Sequence, residues 1–231
     1  DPFEVKNILK YWALSEKQDF HVIPTDTISI SIDKDAVLRS GIMLPDSIRH
    51  LKGKELKNAI PDKIYISLKD MRILTKVDML MLEMLANCNW ERPLYMAISV
   101  GEVSKLKFDH YFVQEGLAFR FTPFDYKKWG NVKGDNNYAI DVERLYENVM
   151  NRYKYGGLDT PGLYLDETTL RTCYYHRRLF AQLAKELIRQ GDNTRARKVL
   201  AYAEQAVPAY NVPEIYESGS FDIAKAYACL L

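Results

Sequence analysis

The stretch from Phe180 to Pro208 most constrains the fold, because it has the pattern of two helices joined by a tight turn. Gly191-Asp192 supplies the turn, and Pro208 stops the second helix, since proline lacks an amide donor and clashes with the preceding turn. Apolar residues recur on one side of each helix, at Phe180, Leu183, Ala184, Leu187, Ala196, Leu200 and Ala203. A hairpin of this kind cannot bury its apolar side alone. The pattern therefore predicts a scaffold built for contact with neighbouring elements.

The hairpin resembles a tetratricopeptide-type repeat, and part of its pattern recurs further along the chain. Residues Ile223, Ala224, Lys225 and Tyr227 match Leu183, Ala184, Lys185 and Leu187 at an offset of 40 residues. The usual period of such repeats is ~34 residues, so we expect an inserted loop containing Pro213 and Gly219. We therefore predict that a second repeat begins near Ser220.

The first half of the chain has the shorter period of β-strands. Apolar and polar residues alternate over Thr27–Asp33 and again over Lys63–Lys69, which predicts two half-buried strands. Val77–Ala86 reads as a buried apolar helix, and Leu94–Val100 as a buried strand after Pro93. Residues 63–100 thus predict a strand–helix–strand unit with parallel strands and a right-handed crossover.

A change of period separates the two halves. Phe112–Phe124 predicts one long strand or a hairpin, and the polar stretch Asp125–Asn137 predicts an exposed linker or loop. Beyond it, Asp141 caps a helix that we expect to end at Gly156-Gly157. The fold class is therefore α+β, with a small mixed β-sheet and helices over 1–137 and a tetratricopeptide-like helical hairpin domain over 138–231.

Composition excludes several classes of protein. The chain has 231 residues, of which 47% are hydrophobic and 27% charged, as in soluble globular proteins. The formal net charge of +1 argues against nucleic acid as a partner. No apolar run approaches the ~20 residues of a membrane span. The start at Asp1-Pro2 and the apolar end at Ala226–Leu231 predict a piece of a longer protein.

The densest unusual string lies between Trp90 and Ala97. Trp90, Arg92 and Tyr95 are candidate binding residues, because such side chains stack on and hydrogen-bond a sugar or a peptide. In the alternative interpretation Pro93 only breaks a helix, Arg92 pairs with a carboxylate, and the aromatic rings pack in the core. We favour this structural interpretation, because aromatic residues lie in cores more often than in sites.

Three carboxylates are candidates for catalysis. Glu115, beside a glycine, is a possible general acid or base. A lone glutamate beside a glycine is more often a salt-bridge or turn residue, and we favour that explanation. Asp166 stands where a helix begins and is best explained as its N-cap. Asp70 follows a predicted strand, where α/β sites gather. A hydrolase or transferase that uses Glu115 and Asp166, or Asp70, is therefore an alternative function.

Metal and thiol chemistry have little support. The four histidines have no second histidine or cysteine at metal-binding spacing, so we expect no metal site and no cofactor. The three cysteines are Cys88, Cys173 and Cys229. Their odd number and irregular spacing favour three buried apolar thiols over a disulfide framework.

Basic residues are concentrated between 171 and 198. This stretch holds eight Lys and Arg, including Arg177 and Arg178, against Glu186 and Asp192. Such a surface could bind an acidic partner or anionic lipid headgroups, and we retain Arg177 and Arg178 as candidate binding residues. A solvated outer helix face is the commoner explanation, and we favour it.

The strings occur in an order that resembles a known family. They are Trp90-x-Arg92-Pro93-x-Tyr95-x-Ala97, Tyr111-Phe112-x-x-Glu115-Gly116-Leu117-Ala118-x-Arg120, Tyr164-Leu165-Asp166-Glu167, and the hairpin with Gly191-Asp192. From about Thr27 to the end, the chain looks like the soluble C-terminal region of bacterial multi-pass membrane proteins similar to protein O-mannosyltransferases.

This resemblance implies a function without a catalytic residue in the chain. In that family the membrane-embedded N-terminal part resembles a lipid-linked sugar transferase. The C-terminal part is a soluble extension with tetratricopeptide-like helices. The chain would then lie on the periplasmic side of the inner membrane and bind a polypeptide acceptor or partner protein, or a glycan. It would reach the membrane through a missing N-terminal part. A plain adaptor protein without a connection to sugars is the further alternative.

Overall fold

A computed structural model describes residues 1–13, 15–17, 23, 25–69, 71, 73–100, 106, 108–132 and 138–231. They divide into two compact units. Unit 1 comprises 1–113 and 118–139, and unit 2 comprises 114–117 and 140–231. The expected linker over Asp125–Asn137 lies in unit 1, and its residues 133–137 lie outside the described ranges. The α+β class is confirmed, whereas the short excursion at 114–117 has no counterpart in the sequence-based division at 137/138.

The first sheet of unit 1 confirms the two alternating strands. β1 (Thr27–Ser31) pairs antiparallel with β2 (Lys63–Ser67), so that Ile28 lies opposite Ile66. The apolar residues of both strands are buried. Ser29, on the other face of β1, is buried as well. The segment around Phe3 lies against β1 at this point, since the Ser29 amide donates to the Phe3 carbonyl at 3.0 Å. That carbonyl belongs to the segment before α1 (Val5–Ile8), which continues as a π-helical turn over Leu9–Ala13.

Three further helices complete this part of unit 1. They are α2 (Lys34–Arg39), α3 (Gly53–Ala59) and α4 (Lys76–Asn87). A capping box starts α4, since the Thr75 hydroxyl accepts from the Asp78 amide and the Asp78 carboxylate accepts from the Thr75 amide. Only one side of α4 contributes to the core, through Leu82, Leu85 and Ala86. The prediction of a wholly buried helix is wrong, because the opposite side of α4 is exposed.

The second sheet overturns the predicted strand–helix–strand unit. Its strand order is β3-β5-β4-β6, where β3 is Tyr95–Ala97, β4 is Phe112–Gln114, β5 is Ala118–Phe121 and β6 is Ala139–Ile140. The predicted unit required β2 and β3 to be parallel strands of one sheet. Instead β2 pairs with β1 in the first sheet, and β3 pairs antiparallel with β5 in the second. The prediction of a buried strand over Leu94–Val100 is also wrong, because β3 is an edge strand with Tyr95 and Ala97 exposed. The hairpin alternative for Phe112–Phe124 is confirmed.

Unit 2 is helical. It contains α5 (Val142–Glu147), a π-helical turn (Asn148–Arg152), α6 (Glu167–Arg189), α7 (Asn193–Ala206), a 3-10 turn (Tyr216–Ser218) and α8 (Ser220–Ala228). The predicted hairpin is present, with Gly191 at a φ of 82° between its helices and Asp192 capping α7. The helix after Asp141 ends at Arg152 rather than at Gly156-Gly157, because Tyr153 is already extended.

Helix α6 lies at the centre of unit 2. It packs against α5, α7 and α8, and its buried residues include Phe180, Leu183, Ala184 and Leu187. The Phe180 ring stacks on Tyr155 at 5.7 Å and meets Tyr202 edge-on at 5.9 Å. The neighbours that the hairpin requires are thus supplied in part by α5 and α8 of the same chain.

The excursion at 114–117 is held by the residues that follow α5. The Leu117 amide donates to the Tyr153 hydroxyl at 2.9 Å, and the Asn148 side-chain amide donates to the Glu115 carbonyl at 2.7 Å. Gly116 has a φ of 153°, and a Cβ placed on it would lie 2.0 Å from the Tyr153 hydroxyl oxygen. Only glycine therefore satisfies both the backbone conformation and the close approach at this position.

We predict that Gly116→Ala lowers the free energy of unfolding of unit 2 by about 3 kcal/mol, because it adds backbone strain and expels the Tyr153 hydroxyl. Gly162→Ala is the matched control, since Gly162 has a φ of 80° and a Cβ added to it would meet nothing within 4 Å. The control should cost only about 1 kcal/mol of strain. Urea unfolding followed by circular dichroism measures both, and equal losses would contradict the argument.

Candidate functional site

Trp90 belongs to the core of unit 1. Its side chain is buried, its ring stacks on Phe121 with centroids 5.6 Å apart, and its indole nitrogen donates to the Ser31 carbonyl at 3.2 Å. Its backbone has a positive φ of 63° and follows Asn89 at 49°, so the chain turns sharply after α4. This geometry agrees with the structural interpretation of the string, since no face of the indole is left for stacking on a ligand.

The other two residues of that string lie at the surface. Tyr95 is half-exposed, and Arg92 is exposed and forms no ion pair with any residue in the described ranges. The carboxylate expected for Arg92 is therefore not found there. Trp90 and Arg92 line one cavity of about 10 Å³ together with Cys88 and Arg120. That volume holds roughly one water molecule, so the cavity is too small for a sugar or a peptide side chain.

Arg120 is a buried side chain that the sequence analysis missed. It is 4% exposed and donates to the carbonyls of Ser40 at 2.8 Å and Gly41 at 3.4 Å. Burial of a guanidinium requires such partners, because an unpaired charge in the core is very costly. One signal in the sequence could have identified it, namely a charged residue between Phe119 and Phe121 in a predicted strand.

Glu115 is buried and belongs to a partly buried ion-pair network in unit 2. Both of its carboxylate oxygens accept from Arg144 Nη1 at 3.3 Å, and Arg144 Nε also lies 3.5 Å from Asp141 Oδ2. Asp141 in turn caps α5 by accepting from the Arg144 amide at 3.1 Å. Burial raises the pKa of Asp141, although Arg144 opposes this effect. One guanidinium between two carboxylates is the arrangement of a structural ion pair, the alternative that the sequence left open for Glu115.

Asp166 acts as the N-cap of α6. Its Oδ1 accepts from the amides of Thr168 at 2.8 Å and Thr169 at 3.1 Å, and its Oδ2 accepts from the Thr169 hydroxyl at 2.7 Å. These hydrogen bonds, the one from the Thr169 hydroxyl foremost, lower the pKa of Asp166. The third carboxylate, Asp70, lies outside the described residues. Of the three candidates, Glu115 is thus engaged by Arg144 and Asp166 by the start of α6, which gives the catalytic alternative no support within the described residues.

Arg177 is buried inside unit 2 rather than displayed on a basic face. It is 3% exposed. Its guanidinium donates to the carbonyls of Val207 at 3.1 Å, Val212 at 2.7 Å and Pro213 at 3.0 Å, and to the Ser220 hydroxyl at 3.2 Å. Burial lowers the pKa of Arg177 from its ordinary value, an effect that the charge of Glu214 opposes. Arg177 thus ties α6 to the loop after α7 and to the start of α8.

The remaining basic residues of 171–198 are partly neutralised. Arg171 pairs with Glu167 at 2.6 Å and Arg189 with Glu186 at 2.7 Å. Arg195 bonds both Glu143 and Asp192. Arg178 is exposed, and its guanidinium lies 5.3 Å from the centre of the Tyr175 ring. Three of the eight basic residues therefore form ion pairs within the chain, and Arg177 is buried, which fits the interpretation of this stretch as an ordinary helix surface.

The cysteines differ from the expectation of three buried thiols. All three are free, and Cys173 is buried, Cys88 half-buried and Cys229 exposed. Burial raises the pKa of the Cys173 and Cys88 thiols. Over the described ranges, no group of three or more His, Cys, Asp and Glu side chains is arranged to hold a metal ion. None of the helices in the same ranges is long and apolar enough to cross a bilayer.

Unit 2 exposes apolar side chains that the sequence analysis did not single out. Ile215, Tyr216 and Phe221 are 45%, 81% and 56% exposed, and the Tyr216 and Phe221 rings lie 5.6 Å apart. We call these three residues the aromatic patch. No periodic pattern marked them, because Ile215 precedes the short 3-10 turn, Tyr216 begins it and Phe221 lies in α8.

One of the comparisons with known proteins identifies a family, and its match ends near the boundary between the two units. The described residues form an α+β chain whose candidate site residues are largely built into its framework. The chain belongs to the family TMEM260-associated domain 2, whose family model matches residues 4–143. No curated protein and no solved structure matches the chain. The matched range takes in unit 1 from residue 4 onward, together with residues 114–117 and 140–143 of unit 2. It ends within α5, so α6, α7 and α8 lie beyond it.

We predict that Arg177→Met lowers the free energy of unfolding of unit 2 by about 3 kcal/mol or more, because three buried carbonyls lose their donor. Arg171→Met is the matched control on the same helix, since Arg171 is 72% exposed. It should change stability by no more than about 0.5 kcal/mol. Chemical denaturation measures both variants, and a small loss for Arg177→Met would show that the hydrogen bonds are not needed.

We predict that His176 makes unit 2 less stable in mild acid. Its ring lies between Tyr153 and Tyr155, at 5.9 and 5.2 Å, and burial lowers its pKa from the ordinary 6.5. Below pH 6.5 the imidazole of His176 is therefore protonated in the unfolded chain before it is protonated in the folded chain. Stability falls as the pH drops through 6.5 toward the folded pKa.

Thermal unfolding of His176→Gln and of the wild-type protein between pH 7.5 and 5.5 tests this. The variant should lose less stability with acid than the wild type does. His50→Gln, at an exposed position of unit 1, should keep the wild-type slope. If the stability of His176→Gln fell with pH as steeply as that of the wild type, the role of the buried His176 would be contradicted.

Proposed function

We propose that this chain is a non-catalytic interaction domain of a membrane-bound glycosyltransferase-like protein. In this proposal the aromatic patch binds a polypeptide acceptor or a partner protein, with a glycan as a further ligand, on the periplasmic side of the membrane. Family membership supports a domain that accompanies a larger protein. The ordered strings of the sequence support the connection to O-mannosyltransferase-like proteins, and the hairpin supports tetratricopeptide-like helices.

The exposed aromatic patch is the observation that carries the binding role. Large exposed apolar side chains cost free energy in water, and Tyr and Phe are frequent anchors in protein interfaces. The two rings of the patch also suit the face of a sugar, on which aromatic side chains stack. Exposed Ala224 and Ala228 follow Phe221 at helical spacing along α8, where small side chains let another chain approach closely.

The backbone beneath the patch is held rigidly. The Ser218 hydroxyl is buried, donates to the Ile215 carbonyl at 2.6 Å and lies 2.8 Å from the Ser220 hydroxyl. Gly219 packs so closely on Arg178 that a Cβ would meet its Cγ at 2.8 Å. A surface that is already ordered before binding loses less entropy when a partner binds.

The catalytic alternative gains no support from the geometry of the described residues. Glu115 is paired with Arg144, and Asp166 uses its carboxylate to cap α6. The adaptor alternative is a free-standing protein that has no membrane part and no connection to sugars. The parent gene separates them, since several hydrophobic spans encoded upstream of residue 1 would support the membrane protein and their absence would favour the adaptor.

We predict that Tyr216→Ser with Phe221→Ser reduces acceptor modification in cells by the full-length parent protein. The reason is the loss of both exposed rings while the buried framework stays unchanged. Arg171→Ser, an exposed change on α6, is the control. Glycan transfer to the acceptor should fall at equal protein level for the double variant and stay unchanged for the control. Unchanged transfer in the double variant would contradict the proposed role.

A further inference from the structure

Helix α4 of unit 1 presents an apolar stripe to the surface. Ile73, Val77, Leu80 and Met84 are 79%, 44%, 58% and 51% exposed. Ile73 precedes the helix, and the other three lie along it opposite the buried Leu82 and Leu85. We call these four residues the α4 stripe. Four large apolar side chains aligned in this way do not arise from core packing, because the core uses the other side of α4.

The spacing of the α4 stripe is that of a helix–helix seam. Within α4, Val77, Leu80 and Met84 are separated by three and four residues, the alternation of a and d positions in a coiled coil. Ile73 lies before the helix and extends the apolar surface beyond its first turn. Val77 and Met84 then take a positions, and Leu80 takes a d position. The residue before each a position is a g position, which places Lys76 and Glu83 along one edge of the stripe. Both are exposed, and neither has an ion-pair partner within the described ranges.

We propose that the α4 stripe binds the α4 stripe of a second copy of this chain in antiparallel orientation. In an antiparallel pair each a position faces a d position, so Val77 packs against the partner's Leu80 and the reverse. The g positions then face each other, and Lys76 meets the partner's Glu83 while Glu83 meets the partner's Lys76. A two-fold symmetric contact thus satisfies both charges and covers the apolar seam.

The charges of Lys76 and Glu83 favour an antiparallel second copy over a parallel pair and over a lipid surface. In a parallel pair, g positions face e positions, so Lys76 would meet Met81 and Glu83 would meet Cys88, which leaves both charges without a counterpart. An anionic lipid surface would select a rim of Lys and Arg, whereas the stripe has one cation and one anion at its edge. Only the antiparallel self-contact uses the opposite signs of Lys76 and Glu83.

The contact is short, and this sets its strength. The helical part of the stripe, from Val77 to Met84, spans about two turns. The buried area therefore falls below that of a standard interface, and the dimer is weak. We therefore expect a reversible monomer–dimer equilibrium that depends on protein concentration. The inference concerns unit 1 and does not depend on the proposed function of the aromatic patch.

Sedimentation equilibrium of the whole chain over a wide range of concentrations tests the proposal. Leu80→Glu should abolish detectable dimer. Lys76→Glu should weaken dimerisation about tenfold, because two attractive pairs become repulsive. Lys76→Glu combined with Glu83→Lys should restore the wild-type equilibrium, since the exchanged charges again face their opposites. Lys54→Glu is the matched control, because Lys54 is exposed in the first turn of α3 as Lys76 is in α4.

Rescue by the double exchange would establish the antiparallel register, which loss through Leu80→Glu alone cannot do. Circular dichroism melting of each variant confirms that it is folded. A chain that stays monomeric at all concentrations would overturn the proposal. So would a dimer that is insensitive to Leu80→Glu, a double exchange that dimerises no better than Lys76→Glu, or vesicle binding by the stripe without self-association.

Discussion

The buried guanidinium of Arg177 is the interaction on which unit 2 depends. Its donors converge on three carbonyls and one hydroxyl from the segment between α7 and α8. Without the guanidinium these carbonyls would be buried without hydrogen-bond donors. Packing of this segment against α6 would then cost free energy. Arg177 therefore helps to hold the segment after α7 and the start of α8 against the middle of α6, beside the direct packing of α8 on α6.

Paired charges serve the framework elsewhere in the molecule as well. Glu115 and Asp141 share Arg144 in unit 2, and Arg120 holds two carbonyls in unit 1. Residues that appear as candidates for chemistry in the sequence are thus largely occupied by intramolecular contacts. Two apolar surfaces among the described residues stay exposed, and we propose that they bind partners. They are the aromatic patch of unit 2 and the α4 stripe of unit 1.

Local signals made much of the secondary structure predictable. Gly191-Asp192 marks a turn and Pro208 a stop, and each signal acts within a few residues. Strand partners were not predictable in this way, because alternation fixes which face is buried and is the same for parallel and antiparallel pairing. The parallel unit predicted over 63–100 failed for this reason. The exposed side of α4 was missed because both of its sides are apolar.

The candidate site was less predictable than the fold. The sequence allowed both interpretations of Trp90 and Glu115, and the choice between them required the distances to Phe121 and Arg144. Arg177 was chosen for its charge, although its role depends on carbonyls 30 or more residues away along the chain. The aromatic patch had no signal, because Tyr216 and Phe221 meet across a turn rather than along one periodic element.

The loop at 114–117 makes the two halves of the polypeptide difficult to separate. Residues 140–231 expressed alone would lack the glutamate that neutralises Arg144 and the amide that bonds Tyr153. The first half expressed alone would carry that loop with its anchors missing. Cutting the gene at a single point therefore damages both products, and a reliable dissection would graft the four-residue loop onto the helical half through a short linker.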